Sequence, residues 1–193
     1  VNAEPFIYVA TGRYLGTTDI GNNPTQSIYA IKDTLTATPY ATPRTTLKKN
    51  TIGVTTGTVT ASDGTTSTQQ IRTSTCTTNC SSTSGWYVDL PDTGERVNVD
   101  MKLQLGTLTV TSNVPQNNAC NIGGYSYINF FNYTDGLAVP TAAGGMVGYK
   151  LSDSLAVGIN IVRLPSGKTV AIATTSDAKQ TTVDVPTAGD ALS

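Results

Sequence analysis

Four acidic side chains fall in one short stretch, Asp89, Asp92, Glu95 and Asp100. Paired carboxylates are what glycoside hydrolysis needs, one as acid and the other as nucleophile or base. Three of them surround the tetrapeptide Pro91-Asp92-Thr93-Gly94, a turn signal in which acidic residues ordinarily face water and Asp supports the turn backbone. The structural reading is preferred, and no catalytic residue is assigned. The chain has no histidine, which removes Ser-His-Asp and Cys-His nucleophile activation together with the usual zinc hydrolase sites. No enzymatic activity is expected.

Residues 17–23, TTDIGNN, gather oxygens from Asp19, Asn22 and Asn23 that a calcium ion could use. The same residues also make ordinary Asx turns, so calcium stands as an expectation beside that structural reading, and no other cofactor is expected. Cys76 and Cys80 lie four apart in a turn-rich stretch and are expected to form a small local disulfide in an oxidising compartment. Cys120 is then unpaired, buried or joined to another chain. Arg13 is read as a buried or interface arginine, stacking near Tyr14 or bridging neighbouring elements. The densest aromatic run, YSYINFFNY over residues 125–133, is either core or a contact surface.

The elements that must position these residues read as strands. Of 193 residues 35 are Thr and only 13% are charged, about half the usual ~25% for soluble domains. Thr, Val, Ile and Tyr suit a pleated, half-buried surface. Residues 6–10 and 27–31 read as strands. Residues 34–84 form a Thr- and Ser-rich hairpin excursion within one β domain spanning 1–193, with Asp63-Gly64 at a tip between 54–61 and 65–73. Strands at 86–90 and 95–99 flank the Pro-Asp-Thr-Gly turn. Residues 102–110 read as one strand bent at Gly106. Then follow 125–133, a return at 137–139, a hairpin of 155–164 with 168–174, and a last strand at 181–185. Residues 34–50 are ambiguous, and no amphipathic helix of useful length is visible.

A net charge of −1 gives no electrostatic footprint for nucleic acid. The cluster of Arg44, Lys48 and Lys49 is read as surface. No apolar run approaches the ~20 residues that span a bilayer as a helix. The chain starts at Val1 and reads as a processed product or a piece of something longer, with both termini expected to be tied into structure.

Five stretches in order, ATGRYLG (10–16), QSIYAIKD (26–33), GWYVDLPDTGERV (85–97), NVPQNNACNIGG (113–124) and LAVGINIVRLPSGK (155–168), resemble the C-terminal part of the PilY family of type IV pilus tip-associated adhesin and biogenesis proteins. The resemblance implies an all-β fold, a partial or modified β-propeller-like array of antiparallel sheets with long hairpin loops. It also implies a bacterial, extracellular or cell-surface fimbrial location. Pilus proteins and a host or abiotic surface are the partners it implies. The family's acidic D-x-D-x-D-G calcium loop has no match here.

A partial propeller leaves open sheet edges. Homo-oligomerisation into a surface filament by strand addition or swapping is therefore expected, with 6–10 or 181–185 as donor and Phe6, Tyr8, Tyr127, Phe130, Phe131, Val183 and Val185 as contact residues. The alternative is a pilus-tip adhesin, or a sugar- or calcium-dependent binding module, acting within a larger protein.

Overall fold

The computed structural model describes residues 5–35, 40–61, 64–118 and 121–188. Twelve strands form: β1 (Phe6–Ala10), β2 (Ser27–Lys32), β3 (Lys48–Thr60), β4 (Thr66–Thr78), β5 (Gly85–Asp89), β6 (Lys102–Gln104), β7 (Thr107–Asn118), β8 (Asn121–Asn132), β9 (Met146–Ser152), β10 (Ala156–Arg163), β11 (Thr169–Thr175) and β12 (Gln180–Asp184). Among the described residues the α-helix content is one turn, Pro43–Thr46. The fold is all-β and propeller-like: a curled nine-stranded sheet in the order β1-β2-β5-β3-β4-β9-β8-β7-β6 beside a three-stranded sheet β10-β11-β12.

All pairings are antiparallel except β3 with β5, where Lys48–Thr51 run parallel to Trp86–Asp89. The β3–β4 hairpin is longer than the sequence suggests, in register from Thr60↔Thr66 down to Lys49↔Thr78. Gly64, at φ +86, turns it; Asp63 lies outside the described residues, as do Cys120 and both chain ends. The hairpin is held at both sides, by β5 along β3 and by β9 against Ile71–Thr73 of β4.

Three expected elements differ. Residues 95–99 do not pair with β5, which is filled on both edges by β2 and β3; they make one bridge, Arg96 to Asn113, and the Val97 N–H donates to the Thr11 carbonyl. Residues 102–110 are two strands, because Leu105 and Gly106 both take positive φ (+47 and +75), the pattern of a tight primed hairpin turn. Residues 137–139 return without forming a strand, through one bond from Asn132 N–H to the Leu137 carbonyl. β9 went unanticipated: its glycine and flanking Gly-rich turn blur the period.

Two apolar clusters form. One joins Ile28, Trp86, Val88, Leu108, Val110, Phe131 and Val147; the other joins Val59, Ile128, Phe130, Tyr149, Ile159, Ala171, Val183 and Val185. Successive side chains of a strand point to opposite faces, so β8 sends Phe131 into the first cluster and Phe130 into the second. The dense aromatic run is a strand buried on both faces. Gly136 sits against the first cluster at φ +69, where a Cβ would lie 2.4 Å from Trp86 Cδ2.

Candidate functional site

Buried hydrogen bonds tie Glu95 and Arg96 of the five stretches to residues outside them, Arg72, Ser112 and Asp19 among them. Arg72, fully buried on β4, meets Glu95 just after the 91–94 turn in a bidentate pair, Nη1 to Oε1 at 2.7 Å and Nη2 to Oε2 at 2.9 Å. Ser112 on β7 donates a short hydrogen bond to Glu95 Oε1, and the Asp92 N–H donates to Oε2 at 3.2 Å. Arg72 also donates to Asn129 Oδ1 on β8 at 3.2 Å, and its guanidinium carbon lies 3.4 Å from the centre of the Tyr127 ring. A buried charge pair needs both good geometry and partners for its remaining groups; four elements partner both Glu95 oxygens and both terminal nitrogens of Arg72, while Arg72 Nε has no partner among the described residues.

A second arginine organises the neighbouring loop. Arg96, 3% exposed, donates from Nε to the Gly94 carbonyl (2.9 Å), from Nη1 to the carbonyls of Arg13 (2.9 Å) and Asp19 (2.7 Å), and from Nη2 to that of Asn22 (3.1 Å). Within the 17–23 loop the carbonyls of Asp19 and Asn22 thus accept from a guanidinium. Asp19, 4% exposed, accepts from the backbone of Leu15 and Gly16 and from Arg13 Nε, which also forms an ion pair with it. The Leu15 N–H, with Arg13 and Gly16, holds its carboxyl below the usual range against the opposing effect of burial. Asn23 lies beside Gly94. The structure thus brings Asp19, Asn22 and Asn23 into one loop, with the oxygens of Asp19 and the Asn22 carbonyl engaged by Arg96, Arg13 and peptide N–H groups. Among the described residues no group of three or more His, Cys, Asp or Glu could hold a metal ion.

Asn113 completes the network. Its side chain exchanges two hydrogen bonds with the Ala156 backbone (2.7 and 2.8 Å) and donates to Asn98 Oδ1, tying β7 to the start of β10.

Over these buried groups lies an open cleft of about 760 Å³, whose walls include Asn23, Asp92, Thr93, Pro115, Gln116 and Tyr125. Asp92 alone of the four clustered carboxylates faces it. Its Oδ2 accepts from the Tyr125 hydroxyl at 2.9 Å and lies 3.1 Å from that of Tyr127. Burial, and then the Asp92 charge, push the Tyr127 phenol up to about 12 and raise Tyr125 likewise. Glu95 has both oxygens committed to Arg72, Ser112 and the turn. Asp89 is elsewhere, held by Arg44 (2.7 Å) and Ser27 (2.6 Å), and Asp100 is exposed. The cleft thus presents one carboxylate, one phenol and the amides of Asn23 and Gln116.

Cys76 and Cys80 are joined, with Cα atoms 5.8 Å apart. The expected contact residues fare unevenly. Tyr127, Phe130 and Phe131 are 0–1% exposed and Val183 and Val185 are 5–6% exposed; their contacts are internal, a correction that follows from β8 being covered on both faces. Phe6 and Tyr8 are half-buried on the edge strand β1, where both pack against Tyr133 through a ring contact and a hydrogen bond. The exposed apolar side chains of that strand are Ile7 (51%) and Val9 (45%), which sequence reasoning did not single out. Arg72, Arg96, Ser112 and Asn129 were likewise missed. The one signal for Arg72 is a lone charge in a hydroxyl-rich strand.

No family model matches the chain, and neither does any curated protein. Its fold is similar to a solved structure, the C-terminal domain of Pseudomonas aeruginosa PilY1, with a TM-score of 0.63 and 18% identity. The likeness covers 92% of this chain and 41% of the other, so the chain spans about two fifths of the length of the structure it matches. At this identity the likeness is one of fold, and the all-β, PilY1-like arrangement implied by the five stretches is the one adopted.

Proposed function

We propose that the chain is a pilus-associated, adhesin-like domain, working outside the cell by surface contact and without turnover. The observation that carries this reading is the fold shared with the PilY1 C-terminal domain over 92% of the chain. The Cys76–Cys80 bridge suits an oxidising compartment, and among the described residues no helix is long and apolar enough to cross a membrane. The cleft beside Asp92 is the contact surface for a host or abiotic ligand, and pilus proteins are its neighbours. Immunogold labelling of filaments sheared from the producing cells tests the location; label confined to the cell interior would overturn it. Thr93→Arg combined with Gln116→Arg is expected to reduce adsorption of the purified chain to the colonised surface while leaving its melting temperature unchanged. Equal adsorption by the variant removes the cleft from the reading.

A second reading concerns assembly. β1 is the outer strand of the nine-stranded sheet, and Ile7 and Val9 project from it exposed, the features that invite pairing with another strand. A second copy is the proposed occupant. Sedimentation should show concentration-dependent association that Ile7→Lys with Val9→Lys abolishes, whereas monomer at every concentration refutes it.

A further inference from the structure

Away from the cleft, a cavity of about 580 Å³ opens between the two sheets, within the ~300–1,000 Å³ typical of small-ligand pockets. Its apolar wall is Val59, Phe130, Tyr149 and Val185, all at most 9% exposed. Its polar wall comes from the three-stranded sheet, Thr169 on β11 and Asp184 on β12, with Arg163 and Lys168 at the rim.

Two buried oxygens in this lining, Thr169 Oγ1 and Asp184 Oδ1, have no hydrogen-bond partner among the described residues. A buried polar atom without a partner costs free energy that a suitable ligand can recover. Asp184 uses its other oxygen to accept from Lys168 Nζ at 2.8 Å, so Oδ1 remains for an incoming donor. Burial, and then the charge of Asp184, raise the Tyr149 phenol above its ordinary value, which keeps it a neutral hydroxyl at the same wall.

The geometry points to a binding site for a neutral polyhydroxylated ligand, a pyranose or disaccharide. The charges at the wall decide the class. Lys168 already neutralises the Asp184 carboxylate from its other oxygen, which disfavours an amine. The unpartnered Asp184 Oδ1, which can only accept, disfavours an anion, which brings acceptors of its own. A sugar supplies hydroxyl donors for Asp184 Oδ1 and Thr169, and its C–H face packs against an apolar wall. The site is distinct from the Asp92 cleft and does not depend on the adhesin reading.

Saturation-transfer NMR on the folded chain with a panel of methyl glycosides and disaccharides tests it, with a hydrophobic amine and a short fatty acid as controls. At least one sugar should receive saturation on its C–H protons. Thr169→Val and Asp184→Asn should each weaken its binding about tenfold, the order expected when a buried hydrogen bond is lost. Ala143→Trp, an exposed rim position, should abolish it at unchanged melting temperature. No transfer to any sugar, stronger transfer to the amine or the acid, or sugar binding that survives Ala143→Trp would each overturn the proposal.

Discussion

Replacing Arg72 by Met removes the cation from a fully buried site. Arg72 and Glu95 are both fully buried in side chain. After the substitution Glu95 keeps the hydroxyl of Ser112 and the Asp92 N–H but loses two charge-assisted bonds of 2.7 and 2.9 Å. Breaking a buried pair by removing one partner costs about 3–5 kcal/mol, a large part of the ~5–15 kcal/mol by which a domain is stable. Replacing both partners, Arg72→Met with Glu95→Leu, leaves no stranded charge. It should therefore cost much less than the sum of the singles, with a coupling of about 2 kcal/mol or more. Urea unfolding at neutral pH, followed by Trp86 fluorescence, measures all four members of the cycle. If the single Arg72→Met costs under ~1 kcal/mol, or the two substitutions are additive, the pair is not the electrostatic unit described here.

Further outcomes follow from the same geometry. Gly136→Ala should cost about 2–4 kcal/mol in urea unfolding, since φ +69 disfavours a Cβ and the new methyl would meet Trp86 at 2.4 Å. Asp19, Asp89 and Asp177 all have carboxyls lowered from 3.8, Asp177 to about 2 by the Thr175 hydroxyl and then Lys179. Their contribution is therefore complete above the unfolded value and lost as pH falls through the folded ones. Melting temperatures should hold on acidification to about pH 5 and then drop between about pH 4 and 2; a drop already complete above pH 5 would contradict this. Reducing the Cys76–Cys80 bridge, or replacing both residues with Ser, should cost at most about 2 kcal/mol, because the closed loop is so short. Comparison of unfolding midpoints with and without reductant reads it directly.

Alternation and turn chemistry made much of the fold legible. β1 and the β10–β11 hairpin stand where the apolar periods and the Pro165-Ser166-Gly167 turn put them. What periodicity does not encode is partnership. Trp86–Asp89 and residues 95–99 look like a hairpin, yet β5 is taken by two strands distant in sequence, and the segment after the turn is a scaffold for two buried guanidinium groups. The candidate site was legible only as motifs. Asp92, Asn23 and Gln116 lie far apart along the chain, and the arginines beneath them give no local sign of burial. The aromatic run was ambiguous because a strand covered on both faces and a strand half exposed at a partner present the same residues; only the second sheet decides.

The parallel β3–β5 pairing gives the Thr-rich hairpin a role its composition conceals. In the sheet it stands between β5 and β9, so excising residues 48–78 would leave β1-β2-β5 with no strand pairing to β9-β8-β7-β6. Surface hairpins are ordinarily where chains gain and lose residues over evolutionary time. This one divides unequally. Near Gly64, length can drift while the ladder persists, but the base between Lys48 and Thr51 and between Ile71 and Thr73 is fixed, and descendants of this sequence should vary at the tip and keep the root.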